Sequence, residues 1–344
     1  MVRVALVEQC APPPPDALEL AAREAGLEAV TGAGAQGTRF TLTRRRAVGV
    51  VRGEPVRHIF GWSAPRALRR ALARSGPFDL IHALDASAAD VALLADTGLP
   101  VVMDCQDPAL LAGIAPVEVA LARAVIVPSA GVARAAQGAG ARDALVVPPG
   151  CELPQRLRAP WPDPPLIVTA APLAARRRHG DVLRSLAVLA EPHPQLRYEV
   201  IGDGPHRAEL EELAHRLGVA DRVDWAGVLD ADEVRARLAA ATIVVMPSID
   251  EPFGISYVEA MAAGVPAIGC RGEPGPEEIA AAGDGITLVP PGDIERLSQR
   301  IDELLSDAAR LREASMRARA TVAEHFTLEQ HAALLLAAYE ALAA

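Results

Sequence analysis

The chain reads outward from Glu251-Pro252-Phe253-Gly254-Ile255-Ser256-Tyr257-Val258-Glu259, which runs directly into Ala260-Met261-Ala262-Ala263-Gly264-Val265-Pro266. Two carboxylates stand eight positions apart. Between them Pro-Phe-Gly signals a turn, because proline and glycine interrupt a helix rather than continue it. From Ile255 onward the residues favour helix, and Gly264 reads as its C-terminal stop. Just upstream, Thr242-Ile243-Val244-Val245-Met246 is a short apolar run of strand character that ends at Pro247-Ser248. The order is strand, loop with Glu251, helix with Glu259. In open α/β sheets ligands bind beyond the carboxyl ends of the strands. The amides of Phe253, Gly254 and Ile255, near a helix N-terminus, suit a phosphate.

Composition sets the frame for this stretch. At 344 residues the chain is too long for one ordinary core, so two domains are expected. A 51% apolar content with glycine and proline spread throughout fits a soluble α/β enzyme with a large buried sheet. A net charge of −10 argues against nucleic acid as a partner, while leaving room for a local basic pocket. The chain has no lysine and no asparagine, so all 34 basic residues are arginine, a bias of composition rather than of function. Cys10, Cys105, Cys151 and Cys270 are far apart and form no C-x-x-C pair. That speaks against a zinc site or a disulfide scaffold and for a reducing compartment. The apolar N-terminus is too short for a signal peptide, and no apolar run approaches the ~20 residues that span a bilayer. The expectation is a cytoplasmic protein. Membrane association is weak at most, through Arg44-Arg45-Arg46 or the basic residues of 66–74.

Strand and helix patterns alternate along the chain, as in a doubly wound parallel sheet. Residues 2–7 read as a first strand, and Pro12 to Pro15 break it. Asp16 caps a helix over 17–25, which Gly26 ends. Residues 31–57 read as short strands and turns. Helices over 63–74, 87–96 and 117–123 alternate with strands over 78–83, 100–103 and 124–127. Ser129 caps a further helix, and 144–147 is the last strand of this half. A proline-rich linker follows, over 153–165. Beyond it the strands are 166–169, 197–201, 222–225, 242–246 and 267–270, with intervening helices over 181–189 and 207–217. Helices over 294–305, 308–325 and 328–343 end the chain. Asp230-Ala231-Asp232 has the look of a D-x-D metal motif, but it stands at a helix start, where Asp is a good N-cap. No G-x-G-x-x-G follows the first strand, so a dinucleotide site there is not expected.

The stretch from Glu251 to Pro266 resembles the E-x7-E motif of retaining nucleotide-sugar glycosyltransferases of family 4. The resemblance implies a GT-B fold: two doubly wound Rossmann-like domains facing a cleft. It implies an acceptor-side domain over 1–152, a nucleotide-sugar domain over 166–325, and a C-terminal helix over 326–344 packing back on the first domain. Gly202-Asp203-Gly204-Pro205 is similar to the family's Gly-x-Gly-Pro turn. The family's Gly-Arg-Leu, followed after a few residues by Lys-Gly, corresponds here to Ala171-Pro172-Leu173 and the run Arg176-Arg177-Arg178. The first arginine of the family pattern is therefore missing. One of Arg176, Arg177 and Arg178 would stand in for the lysine, with spacing favouring Arg177 or Arg178. A guanidinium can grip a diphosphate in a bidentate way that an ammonium cannot.

The first half resembles the family more loosely. Asp79-Leu80-Ile81-His82 fits its Asp-x-x-His, but Gln106 stands where a His is usual and Pro149 replaces Asn. His82 reads either as an acceptor-side contact or as a structural histidine, and Gln106 is the second acceptor-side candidate.

What the resemblance implies chemically is transfer of a sugar from a nucleoside diphosphate sugar, with retention and without a metal or cofactor. Glu251 would hold sugar hydroxyls, and Glu259 the ribose. Arg177 or Arg178 would stabilise the diphosphate together with the amides of Phe253, Gly254 and Ile255. Gly202, Gly204 and Leu229 would line the donor. The acceptor, small molecule or glycan, is not named by the sequence. Two other readings belong beside this one: a transferase fold that binds nucleotide without turnover, suggested by Pro172 and Gln106, and a nucleotide-sugar epimerase.

Overall fold

The computed structural model describes residues 1–9, 17–42, 47–51, 54–56, 64–107, 116–155 and 161–344. Cys10, Pro12 to Pro15, the Asp16 cap, Arg44-Arg45-Arg46, Ser63 and part of the linker lie outside these residues. The chain forms two compact units. One comprises Met1–Pro13, Glu24–Pro149 and Glu329–Ala344; the other comprises Pro14–Arg23 and Gly150–Leu328.

In chain order the first unit's elements are β1 (Arg3–Gln9), α1 (Ala17–Ala33, which begins in the short 14–23 piece), β2 (Gln36–Leu42), β3 (Ala47–Val51), β4 (Glu54–Val56), α2 (Ala64–Ser75), β5 (Leu80–Ala83), α3 (Ala86–Leu94), β6 (Val101–Asp104), α4 (Pro116–Leu121), β7 (Ala124–Val127), α5 (Ala130–Gly138) and β8 (Ala144–Val146). They build an eight-stranded sheet in the order β4-β3-β2-β1-β5-β6-β7-β8. The strands from β2 through β8 in that order pair parallel. β3 and β4 add an antiparallel edge that the reading of a parallel sheet did not contain. Few residues separate β2, β3 and β4, and a parallel return would need a crossover of a dozen or more.

β5, β6 and β7 are buried along their whole length, as expected of parallel strands covered on both faces. Their side chains alternate. Ile81, Ala83, Met103 and Val125 enter a core with Leu68 and Leu72 of α2 and Ala92 of α3. Leu80, Val102 and Ile126 enter a second core with Leu27 and Val30 of α1. Asp85 and Ser129 cap α3 and α5 with their side-chain oxygens.

Gly26 does not end α1, which continues to Ala33. A Cβ at Gly26 would lie 2.5 Å from the His331 ring, so the glycine answers to close packing rather than to a helix stop.

The second unit holds β9 (Leu166–Ala170), a 3-10 turn (Ala175–Arg177), α6 (His179–Val188), β10 (Arg197–Ile201), α7 (Arg207–Arg216), β11 (Val223–Gly227), α8 (Ala231–Ala240), β12 (Ile243–Val245), α9 (Ile255–Ala262), β13 (Ala267–Cys270), α10 (Pro274–Ala282), β14 (Ile286–Val289), α11 (Ile294–Leu305) and α12 (Ala308–His325). The last helix, α13 (Leu328–Ala343), gives Ala332, Leu335, Tyr339 and Leu342 to the second core of the first unit. The second unit's six strands are all parallel, in the order β11-β10-β9-β12-β13-β14.

The chain winds outward from β9 to β11, then starts again on the other side of β9 with β12. β9 and β12 are therefore neighbours whose connections diverge, which is the topological switch point of such a sheet. Ile167, Ile243 and Val245 face a core with Leu183 and Leu186 of α6 and Ile301 of α11. Val168 and Val244 face the opposite core, with Leu238 of α8 and Val258 of α9. Each such side chain contributes roughly 1.5–3 kcal/mol by leaving water, so the strand ends at the switch point sit on a rigid base.

Candidate active site

The loops that leave β9 and β12 meet side by side. In the β9 loop Ala171 N–H donates to the Ile201 carbonyl at 3.0 Å, and Leu173 N–H to that of Asp203 at 3.0 Å. This close approach explains Gly202 and Gly204. A Cβ at Gly202 would lie 2.3 Å from the Ala171 oxygen, and one at Gly204 2.6 Å from the Leu173 oxygen. Gly202 N–H also donates to the Gly227 carbonyl at 2.7 Å, next to Leu229. Leu229 is half-buried against the core that holds Phe253 and Ile255.

The arginine run then crosses to the β12 loop, and its three members do different things. Arg176 donates its guanidinium to the Asp250 carbonyl at 3.0 Å, and its own carbonyl accepts from Ile249 N–H at 2.8 Å. Arg177 turns inward and donates Nη1 to Glu251 Oε2. The two residues are only 9% and 5% exposed. Arg178 adopts the left-handed conformation at φ 54° and donates Nε to Asp181 Oδ2 at 2.6 Å. That left-handed conformation is one that glycine adopts most readily. Among the described residues, Arg177 Nε and the Oγ of fully buried Ser248 have no hydrogen-bond partner. Buried polar groups are nearly always paired in a finished core, which makes these two atoms exceptions.

The Glu251 turn is held from below by α10. Glu251 N–H donates to Glu273 Oε2 at 3.1 Å, and Gly275 N–H donates to the Glu251 carbonyl at 3.0 Å. Gly254 takes φ 88°, and a Cβ there would lie 2.4 Å from the Tyr257 ring. The Phe253 ring packs edge-on against Phe326 at 5.7 Å, so this residue offers its backbone rather than its ring. Ile255 is buried at the first turn of α9, and the Tyr257 hydroxyl donates to the Met246 carbonyl.

One turn further along α9, Glu259 Oε1 lies 3.5 Å from Arg235 Nη1 of α8. Burial pushes the Glu259 carboxyl up to about 7, and Arg235 opposes that rise. The Asp230-Ala-Asp232 motif is engaged locally. Asp230 caps α8 in a capping box with Glu233, and Asp232 holds Arg235.

A buried polar chain runs under the arginine loop. Thr169 donates to the Val245 carbonyl at 2.5 Å, and Tyr198 donates to Thr169 at 3.0 Å. The His179 ring touches the Tyr198 hydroxyl and the Pro172 carbonyl, each at 3.3 Å. Burial lowers the His179 pKa to about 4, so the ring is neutral at pH 7. Sequence reasoning missed His179, Arg235 and Glu273. Each acts through a partner distant in the chain, and no local spacing signals it.

The acceptor-side candidates lie in the first unit. His82 is buried at the end of β5, and its Nδ1 meets the Tyr339 hydroxyl at 2.7 Å. Gln106 donates to Asp104 Oδ1 at 2.6 Å, just beyond β6.

Residues 156–321 match the family described as "Glycosyl transferases group 1". Among curated proteins, the 2-deoxystreptamine glucosyltransferase of Streptomyces kanamyceticus is 30% identical over 188 residues, covering 55% of this chain and 48% of that protein. The GDP-mannose-dependent alpha-(1-6)-phosphatidylinositol monomannoside mannosyltransferase of Mycolicibacterium smegmatis is 31% identical over 155 residues, 43% of this chain and 40% of that one. The matches thus span about half or less of these relatives' length.

Among solved structures, HepE of Anabaena in complex with UDP and glucose superposes with a TM-score of 0.79 at 18% identity, covering 99% of this chain and 100% of its own. Sucrose-phosphate synthase of Thermosynechococcus elongatus gives 0.77 at 21%, covering 99% of each chain. At such identities the likeness is one of fold, with two Rossmann-like domains. Residues 156–321 thus carry the match to the glycosyl transferases group 1 family, and the chain has a GT-B fold.

Proposed function

We propose that the protein transfers a sugar from a nucleoside diphosphate sugar to a hydroxyl acceptor, with retention at the anomeric carbon. The observation that carries this reading is the buried Arg177–Glu251 pair at the switch point of the second sheet, beside the Gly254 turn and one helical turn from Glu259. A buried ion pair is weak evidence for stability, so its place beyond the strand ends is better explained by ligand chemistry.

Arg177 offers its remaining guanidinium hydrogens to the diphosphate, with the amides at the start of α9 beside it. Such preorganised donors stabilise charge as it develops on a leaving group. Glu251 orients sugar hydroxyls, and Glu259 accepts from the ribose. In the step itself the bond from the anomeric carbon to the diphosphate oxygen breaks. The acceptor oxygen bonds to that carbon on the face the diphosphate leaves, and the departing diphosphate takes the acceptor's proton. No metal is required, since arginine and amide donors carry the compensation. The relatives' names, a glucosyltransferase and a mannosyltransferase, support the reaction class.

The test is a panel of UDP-, GDP- and ADP-sugars, with donor binding and turnover measured in the wild type, Glu251→Ala, Glu259→Ala, Arg177→Ala and Arg178→Ala. The expected result is tight donor binding in the wild type, lost turnover in Glu251→Ala and weakened binding in Arg177→Ala. The Arg178 change is milder, because that side chain is tied to Asp181. Donor binding that is unchanged in all four variants would remove the assignment. The anomeric configuration of the product, read by NMR, tests retention.

A further inference from the structure

Glu259 is an ionisable carboxyl in a buried place. Its side chain is 7% exposed, and a carboxylate out of water is costly unless paired. The charged and titratable groups around it come from three directions. Arg235 faces it from α8 at 3.5 Å, with Asp232 behind, bound to the same guanidinium at 2.5 Å. Glu152 acts on it from the segment that enters the unit, where Glu259 in turn helps to hold the Cys151 thiol neutral, and Cys151 Sγ lies 3.8 Å from the Val258 carbonyl. Arg319 of α12 is committed elsewhere, to the carbonyls of Ala262 and Pro154 at 2.6 Å each. Of these groups only Arg235 is a cation aimed at the Glu259 carboxylate.

From this arrangement the geometry points to Arg235 as a positioning residue for donor recognition: held by Asp232, it orients the Glu259 carboxylate so that both ribose hydroxyls can donate to it. The inference rests on the reading of Glu259 as the ribose acceptor given above. The reason lies in hydrogen-bond inventory. An ionised carboxylate only accepts, and can serve two hydroxyls at once; a protonated one gives up part of that capacity and adds a donor. Burial drives Glu259 toward the protonated form near neutral pH, and Arg235 draws it back. Asp232 is exposed and partly neutralises Arg235, so it fixes the guanidinium in place more than it adds charge to the pocket. Arg235 itself is 41% exposed, leaving it free to keep this role while the nucleotide enters.

The experiment uses the full chain and the nucleoside diphosphate, among UDP, GDP and ADP, that stabilises it most. Its affinity is compared with that of the 2′,3′-dideoxy counterpart between pH 5.5 and 8.5, and the ratio of the two isolates ribose recognition. In the wild type the ratio is expected to fall as pH drops through the Glu259 midpoint near 7. In Arg235→Gln the midpoint moves upward, and the ratio at pH 7 drops by ~3- to 10-fold, since one unit of midpoint is a tenfold change in ionisation. Arg235→Lys restores the charge without the guanidinium fork and recovers part of the ratio. Glu259→Gln has a low ratio with no pH dependence. If Arg235→Gln keeps the wild-type ratio and midpoint while Glu259→Gln loses both, the role given to Arg235 is wrong and that of Glu259 stands. If Glu259→Gln keeps the wild-type ratio, the ribose reading fails, and the role of Arg235 fails with it.

Discussion

Glu259 carries a stability consequence that can be measured without any substrate. Its carboxyl titrates near 4.5 in an open chain and near 7 in the fold, chiefly because burial disfavours the charged form. Between those values the folded chain holds a proton that the unfolded chain has released, so stability falls as pH rises through this window. Below about 4.5 the cost is absent, and above 7 it is complete, on the order of 3 kcal/mol. Glu259→Gln removes the titration. The variant is therefore expected to gain stability over the wild type at pH 8, and the gain should shrink toward zero as pH approaches 5. Urea unfolding at several pH values reads this directly, and a pH-independent difference would show that Glu259 is not held in the way described. A residue that costs stability where it sits is one retained for its chemistry.

The two acids were legible in the sequence, because turn, helix and spacing all lie within one stretch. The partners were not. Arg177 is 74 positions from Glu251 and Arg235 is 24 from Glu259, so only the order of the strands brings them together. The choice among the three arginines was equally closed to sequence, since it depends on the left-handed turn at Arg178.

Elements place these residues, and the tightest placement is made by a glycine. Gly275, in the first turn of α10, lies against the backbone of Phe253. An added Cβ would stand 2.1 Å from the Phe253 carbonyl oxygen and 2.2 Å from its Cα. Backbone cannot step aside as a flexible side chain does, so Gly275→Ala must push the Glu251–Gly254 turn away from α10. The same shift strains the Gly275 N–H bond to the Glu251 carbonyl. The variant is expected to lose about 1–3 kcal/mol of stability through overpacking, and to weaken nucleoside diphosphate binding although no part of residue 275 need touch the ligand. Gly138→Ala is the matched control. Among the described residues nothing lies within 4 Å of a Cβ there, and alanine favours a helix over glycine by up to about 1 kcal/mol. Wild-type binding by Gly275→Ala, measured by calorimetry, would mean that α10 does not set the turn.

At this scale the sequence reads well where strands are buried on both faces, since β7, β12 and β13 are plain apolar runs. It reads poorly where glycine serves packing. Gly26 looks like a helix stop and is instead the contact surface for His331.

For the whole molecule, the weight falls on the last sixteen residues. Glu329–Ala344 belongs to the first unit, although it is reached only after the entire second unit has been traversed. Leu335, Tyr339 and Leu342 of α13 are buried in the same core as Val4, Leu80 and Val102 of the first sheet. The Tyr339 hydroxyl meets His82, and His331 Nδ1 meets the Pro148 carbonyl at 2.8 Å. Large apolar side chains of this kind are worth roughly 1.5–3 kcal/mol each on burial, while a domain's whole stability is only about 5–15 kcal/mol. A chain ended at Leu328 is therefore expected to lose the fold of its N-terminal unit, despite the cut lying some 180 residues beyond that unit's last strand. The second unit keeps its own two cores without these residues. Hydrogen exchange should accordingly show β1, β5 and β6 losing protection while β9, β12 and α9 retain it. Restoring a peptide of residues 329–344 in excess should recover protection in the first group, as binding to the folded form draws the equilibrium toward it. Full protection of β1, β5 and β6 in the truncated chain would mean that α13 covers a core already stable without it.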